Sequence, residues 1–188
     1  MKKNAVLPIV TFLLTSIAFS QESTDFTPSG QPFAKIFANY HSTFVDDASV
    51  HAFEMKRAYL GYSYKFSSLW SAKTNIDVGS PDVSIGDSLE GNTSFAYTAY
   101  LKTAAVTYKK GNITAEFGLI GLKHFKIQEK IWGRRYLYKT IQDENKFASS
   151  ADLGLSLTYK ISDMFAVDAT AMNGEGYKKI QADNTFKY

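Results

Sequence analysis

The chain has 188 residues, no cysteine, and an unusual load of aromatics, with 12 tyrosines and 14 phenylalanines. Its formal charge of +3 includes Lys2 and Lys3, and without them 19 basic residues stand against 18 acidic ones. That balance gives no reason to invoke nucleic acid, and the lack of cysteine excludes a disulfide framework.

Residues 1–20 have the features of a secretory signal: Lys2 and Lys3 precede a mostly apolar stretch, and Ala18-Phe19-Ser20 is a small-x-small cleavage site. The apolar stretch is interrupted by Pro8, Thr11, Thr15 and Ser16, and no later stretch approaches the ~20 apolar residues of a spanning helix. Residues 21–31 read as a polar leader, and 32–188 as one all-β unit.

The first predicted strand, 32–42, has an ambiguous phase: Phe33 and Phe37 fall on one face, and Ile36, Ala38 and Tyr40 on the other. A loop is expected over 41–52. In the second strand, 53–66, Ala58, Leu60, Tyr62, Tyr64 and Phe66 share a face, and Arg57, Tyr59, Gly61, Ser63 and Lys65 share the other. After a tight turn at Ser67-Ser68, Trp70, Ala72, Thr74, Ile76 and Val78 alternate with Ser71, Lys73, Asn75, Asp77 and Gly79. A polar loop to about residue 94 leads to a fourth strand, 95–108. There Tyr100, Ala104, Val106 and Tyr108 are expected to face lipid, with Lys102 a misfit in the same phase that suggests snorkelling, a rim position or a bulge. A turn at 109–112 precedes a fifth strand with Ala115, Phe117 and Leu119 on one face. The cleanest pattern comes last. Ala151, Leu153, Leu155, Leu157, Tyr159 and Ile161 alternate with polar residues, a turn at Ser162-Asp163 follows, and alternation resumes from Phe165 to Ala171. Two strands of this length with so short a link form an antiparallel hairpin. A loop over 173–181 and the start of an eighth strand at 183–188 complete the chain.

The connections are expected to alternate long and short throughout, with aromatics (Tyr64, Phe66, Trp70, Tyr108, Tyr159, Phe165) beside the short ones. Strands of about ten residues, apolar on one face and polar on the other, with one aromatic rim and long loops at the opposite end, suit an antiparallel up-and-down transmembrane β-barrel of the bacterial outer membrane. A soluble sandwich shares the alternation but not the placement of the aromatics.

Between strands five and six, residues 122–147 lack strand alternation and carry a net +4. Lys123, Lys126, Lys130, Arg134, Arg135, Lys139 and Lys146 outnumber Glu129, Asp143 and Glu144. Ile127, Ile131, Tyr138 and Ile141 recur at near-helical spacing, so a short helix is expected. Folded into a wide barrel, such a loop narrows it, and Lys123, Lys126, Lys130, Arg134, Arg135 and Lys139 line an anion path. Arg57, Lys65, Lys73 and Lys160 add basic charge in the lumen phase, where Asp77, Glu116, Asp152 and Asp168 oppose them. The bland alternative is a solvated outer loop whose charges meet lipopolysaccharide phosphates. The histidines His41, His51 and His124 are scattered, so no catalytic, metal or cofactor site is expected.

Arg57-Ala-Tyr-Leu-Gly61, Gly118-Leu-Ile-Gly121, Asp152-Leu-Gly-Leu-Ser-Leu157 and Asn173-Gly-Glu-Gly-Tyr177 follow one another in an order that resembles the phosphate-selective porin family. The resemblance covers the N-terminal half of such a porin. It implies a trimeric barrel of 16 or more strands in the outer membrane, in contact with lipid and lipopolysaccharide and passing small anionic solutes. After Gly121 the chain reads Leu-Lys-His-Phe-Lys126 without the family's proline, which implies a different path for the third loop. The expectation is therefore part of a 16- to 18-stranded porin barrel. The alternative is a complete eight-stranded anchor or adhesin barrel without a channel.

Overall fold

The computed structural model describes residues 26–45, 48–79, 97–180 and 185–188; the expected signal segment, residues 21–25 of the expected leader and the polar loop expected from residue 80 to about 94 lie outside these. Seven strands form one antiparallel sheet in simple chain order: β1 (Ser29–Val45), β2 (Ala48–Lys65), β3 (Trp70–Gly79), β4 (Thr98–Lys110), β5 (Ile113–Gly121), β6 (Ala151–Lys160) and β7 (Ala166–Met172). Two helices, α1 (Lys123–Trp132) and α2 (Ile141–Glu144), lie between β5 and β6. The all-β up-and-down meander is as the alternation predicts. Among the described residues the sheet does not close: β1 pairs only with β2, and β7 with β6 apart from one bridge between Met172 and Lys187.

Cross-strand register sorts the residues into two faces. One carries Leu60, Ile76, Leu101, Phe117 and Leu155, all exposed. The other carries Arg57, Lys73, Asp77, Glu116, Ser156 and Asp168. Burial is concentrated on this second, polar face, where Ala105, Ile120, Leu122 and Phe125 form the core cluster. This inverts a soluble β-sandwich, where the apolar face is the one covered.

Three expectations are corrected. The loop expected over 41–52 is strand: only residues 46–47 separate β1 from β2, so the connections do not alternate strictly. Residues 38–45 and 48–56 form a two-stranded ribbon that runs beyond the end of β3. Rings stabilise it across the strands, with Tyr40 and Phe53 paired in register at 5.2 Å between centroids. The leader is also shorter than predicted, since Ser29, Gly30 and Gln31 pair with β2.

The third correction concerns β4. Thr103 pairs with Asn75 but Leu101 with Ile76, so Lys102 is an extra residue, a β-bulge. It reverses the phase of everything before it. Leu101 takes the apolar face, and Tyr100, expected toward lipid, pairs with Asp77 on the polar face. The misfit lysine thus reports a bulge and turns inward. The ambiguous phase of β1 resolves too: Ile36 and Tyr40 are exposed on the apolar face, and Phe37 is buried on the polar one.

Candidate functional site

The polar face is organised by carboxylates. Strand pairing sets Tyr59, Asp77 and Tyr100 side by side on β2, β3 and β4. Asp77 is only 2% exposed. An isolated charge there would be costly to bury, so its partners matter. Arg57 Nε lies 3.3 Å from one oxygen, without the alignment of a hydrogen bond, and Lys102 Nζ lies 3.6 Å from the other. Tyr177 donates its hydroxyl to that second oxygen at 2.9 Å. Lys102 also donates to the Tyr59 hydroxyl at 2.9 Å, and Phe37 meets the Tyr59 ring edge-on. Burial first, and then the nearby Asp77 charge, pushes the Tyr177 phenol above its ordinary range, so it stays protonated as a donor.

A second centre lies on β5–β7. Asp168 accepts from the hydroxyls of Ser156, Thr158 and Thr170 and from Lys123 Nζ at 2.5 Å. Lys123 is the first residue of α1, and its ammonium is also 3.8 Å from Glu116. Two residues on, Phe125 is 1% exposed against Ile120, Leu122 and Ala105. The charge pair and the buried ring together lay α1 on the polar face. Burying a phenylalanine contributes on the order of 2–3 kcal/mol. The Lys126 side chain lies beside Gly121, where an added Cβ would strike it, and its ammonium is near enough to that of Lys73 on β3 for the like charges to interact.

The rest of the segment is tied to itself. Arg135 pairs with Glu129 at 3.4 Å and with Asp143 at 3.2 Å, and its guanidinium sits over the Phe37 ring. The Trp132 indole N–H donates to Tyr138 O, and the Tyr138 hydroxyl donates to Glu144. Ile127, Ile131, Tyr138 and Ile141, whose spacing predicts the helical segment, are all exposed. The residue that docks the helix, Phe125, lies outside that repeat.

The expected anion-path residues therefore divide. Lys123, Arg135 and Lys139 are in ion pairs, the last with Glu144 at 3.9 Å. Lys126, Lys130 and Arg134 are exposed and carry no ion pair among the described residues. Of the lumen-phase bases, Arg57 is committed to Asp77 and Lys160 to Asp163. Lys65 and Lys73 are exposed, with Lys73 Nζ 4.7 Å over the Phe33 ring. Lys35 joins them, exposed over Phe37. The sequence reading passed over Lys35, although it shares the phase of Phe33 and Phe37. Also missed was the segment after β7, whose Tyr177 reaches β3. Its short Gly-rich sequence suggests only a loop. Comparison with protein-family models, with curated proteins and with solved structures finds no match.

Proposed function

We propose that the chain forms wall and constriction of a bacterial outer-membrane channel for small anionic solutes, as its resemblance to the phosphate-selective porins implies. The observation that carries this reading is α1 lying on the polar face of the sheet while the apolar face is bare. Lipid is the natural cover for an apolar β-face with no second sheet. The aromatics fit the two membrane interfaces. Tyr64, Phe66, Trp70 and Tyr108 cluster at one end of the sheet, and Tyr40, Phe44 and Phe53 at the other. Ten residues of β1 separate Gly30, opposite Tyr64, from Tyr40, opposite Phe53. That is roughly 33 Å of strand, and at a tilt of about 40° it rises roughly 25 Å, the height of an outer-membrane apolar band.

Charge supports the anionic preference. The acids of the polar face are each engaged: Asp77 and Asp152 are buried, and Glu116 and Asp168 hold Lys123. Lys35, Lys65, Lys73 and Lys126 remain exposed. A surplus of mobile cations lining an aqueous path lowers the barrier for anions. The partners in this reading are outer-membrane lipid, lipopolysaccharide at the ribbon end, and identical subunits in a trimer; no cofactor is needed for passive diffusion.

The isolated bridge between Met172 and Lys187 is what favours the alternative, a small, channel-free barrel closed by an eighth strand. The interior of an eight-stranded barrel is filled by its own side chains. A ten-residue helix about 10 Å across has no room there, so the wider barrel is the better account.

The test is single-channel recording on the assembled protein extracted from outer membranes. Anion-selective steps are expected, and Lys130→Glu with Arg134→Glu should weaken the selectivity several-fold. Silence, or cation selectivity unmoved by these changes, would overturn the reading.

A further inference from the structure

Segment 173–180 is not a strand, yet hydrogen bonds tie it to β6. Asn173 N–H donates to Leu153 O and Tyr177 N–H to Ala151 O, so the segment runs beside the start of β6. Asp152, 3% exposed, turns one carboxylate oxygen toward it and accepts from Gly174 N–H at 2.9 Å and Gly176 N–H at 3.1 Å. Both glycines have positive φ, 106° and 82°, which other residues rarely adopt. A side chain at Gly176 would also strike Ser149. That accounts for two glycines flanking one acid in Asn173-Gly-Glu-Gly-Tyr177.

From this anchor Tyr177 crosses toward β4 and β3. Its hydroxyl reaches Asp77, and its ring meets Tyr100 edge-on with centroids 6.4 Å apart. Three inter-strand spacings on a flat sheet would be roughly 14 Å, so the contact fits a sheet curled about its polar face. Next in the chain, Lys178 is exposed, with its ammonium 4.8 Å over the Tyr100 ring and 5.9 Å from that of Tyr177. Lys102, the other cation on these rings, is 12% exposed and already paired with Asp77. A solute passing over the polar face at this level meets Lys178.

We propose that 173–180 is a second inward-folded loop, latched to β3 by the Tyr177–Asp77 bond and to β6 by Asp152, and that Lys178 is a selectivity-determining cation for small anionic solutes. The selectivity role rests on the channel reading; the latch does not.

Two measurements on the assembled protein separate them. In planar bilayers Lys178→Glu should lower the anion-over-cation permeability ratio several-fold. Because the chain has no cysteine, Lys178→Cys can be labelled alone, and a negatively charged methanethiosulfonate should reduce its current. An unchanged ratio and no block, in a wild-type protein that conducts, would overturn the role of Lys178. A wild-type protein that does not conduct would overturn the channel reading and this role together. The latch is read without current, by tryptic cleavage after Lys178 and Lys179 in detergent. Tyr177→Phe should speed cleavage roughly tenfold, the factor expected for one lost hydrogen bond to a charged group. Tyr177→Phe leaves Arg57 and Lys102 on Asp77, so folding is not at stake. Equal cleavage rates would overturn the latch.

Discussion

Asp77 gathers an arginine, a lysine and a phenol from three different parts of the chain. Its bond to Tyr177 has a defined pH window. The folded state raises the phenol's pKa, so the contribution of this bond is full below the unfolded tyrosine pKa of about 10 and is lost as pH rises above it. Lys102 and Lys178 are the two ammonium groups that face the same ring. The expected result of a spectrophotometric titration is that folded wild type and Tyr177→Phe ionise the same number of tyrosines between about pH 9 and 11, and differ by one only in denaturant. One extra ionisation in the folded wild type would contradict the bond. Much of this scale was illegible beforehand. Alternation put Arg57, Lys65, Lys73 and Lys160 on the polar face, but it carries no information on which of them is spent on an acid. A contact between residues 77 and 177 depends on the curl of five strands and leaves no local trace.

The hairpin of β6 and β7 was legible because a period of two over ten residues, with a short turn, has few competing readings. The β1–β2 ribbon was not, because around Tyr40 and Val50 small and polar residues dilute the pattern, and cross-strand ring contacts supply what periodicity does not. In the 122–150 segment the helix was legible but its docking face was not, since a single buried ring, Phe125, outweighs four exposed residues at helical spacing. At this scale the orientation of the strands can be checked directly. Leu155 is 50% exposed in the middle of β6. Leu155→Arg should cost about 2–4 kcal/mol in lipid vesicles if that face meets the bilayer centre. Thr107→Arg, on the polar face between Ser71 and Glu116, should cost less than about 1 kcal/mol. Denaturant titration of both variants decides it; equal costs would mean the apolar face is not in hydrocarbon.

Across the whole molecule the unresolved need is at the two edges. Among the described residues, the outer side of β1 and most of the outer side of β7 present unpaired N–H and C=O groups. In hydrocarbon each such group costs several kcal/mol. Strand direction adds a rule of parity. In a meander β1 and β7 run the same way, so they cannot close on each other as antiparallel neighbours; an eighth strand built on the Met172–Lys187 bridge would restore that option. Refolded alone, the 188-residue chain should lack the heat-dependent gel shift of a closed barrel. A discrete heat-modifiable monomer would show that its own edges meet. The overall class was readable because one face is apolar along every strand. Closure was not, because it is a property of edges and carries no periodicity.

The bulge at Lys102 gives β4 something like a reading frame. Upstream and downstream halves each alternate correctly, but they are out of step by one residue. Substituting Lys102 would alter one side chain. Deleting it would leave Thr103, Leu101 and Tyr100 opposite Asn75, Ile76 and Asp77 as before, now in an unbroken ladder, because Lys102 has no cross-strand partner of its own. What the strand would lose is the ammonium beside Asp77 and the Tyr59 hydroxyl, so at this one position the residue's identity is under stricter constraint than its presence in the count.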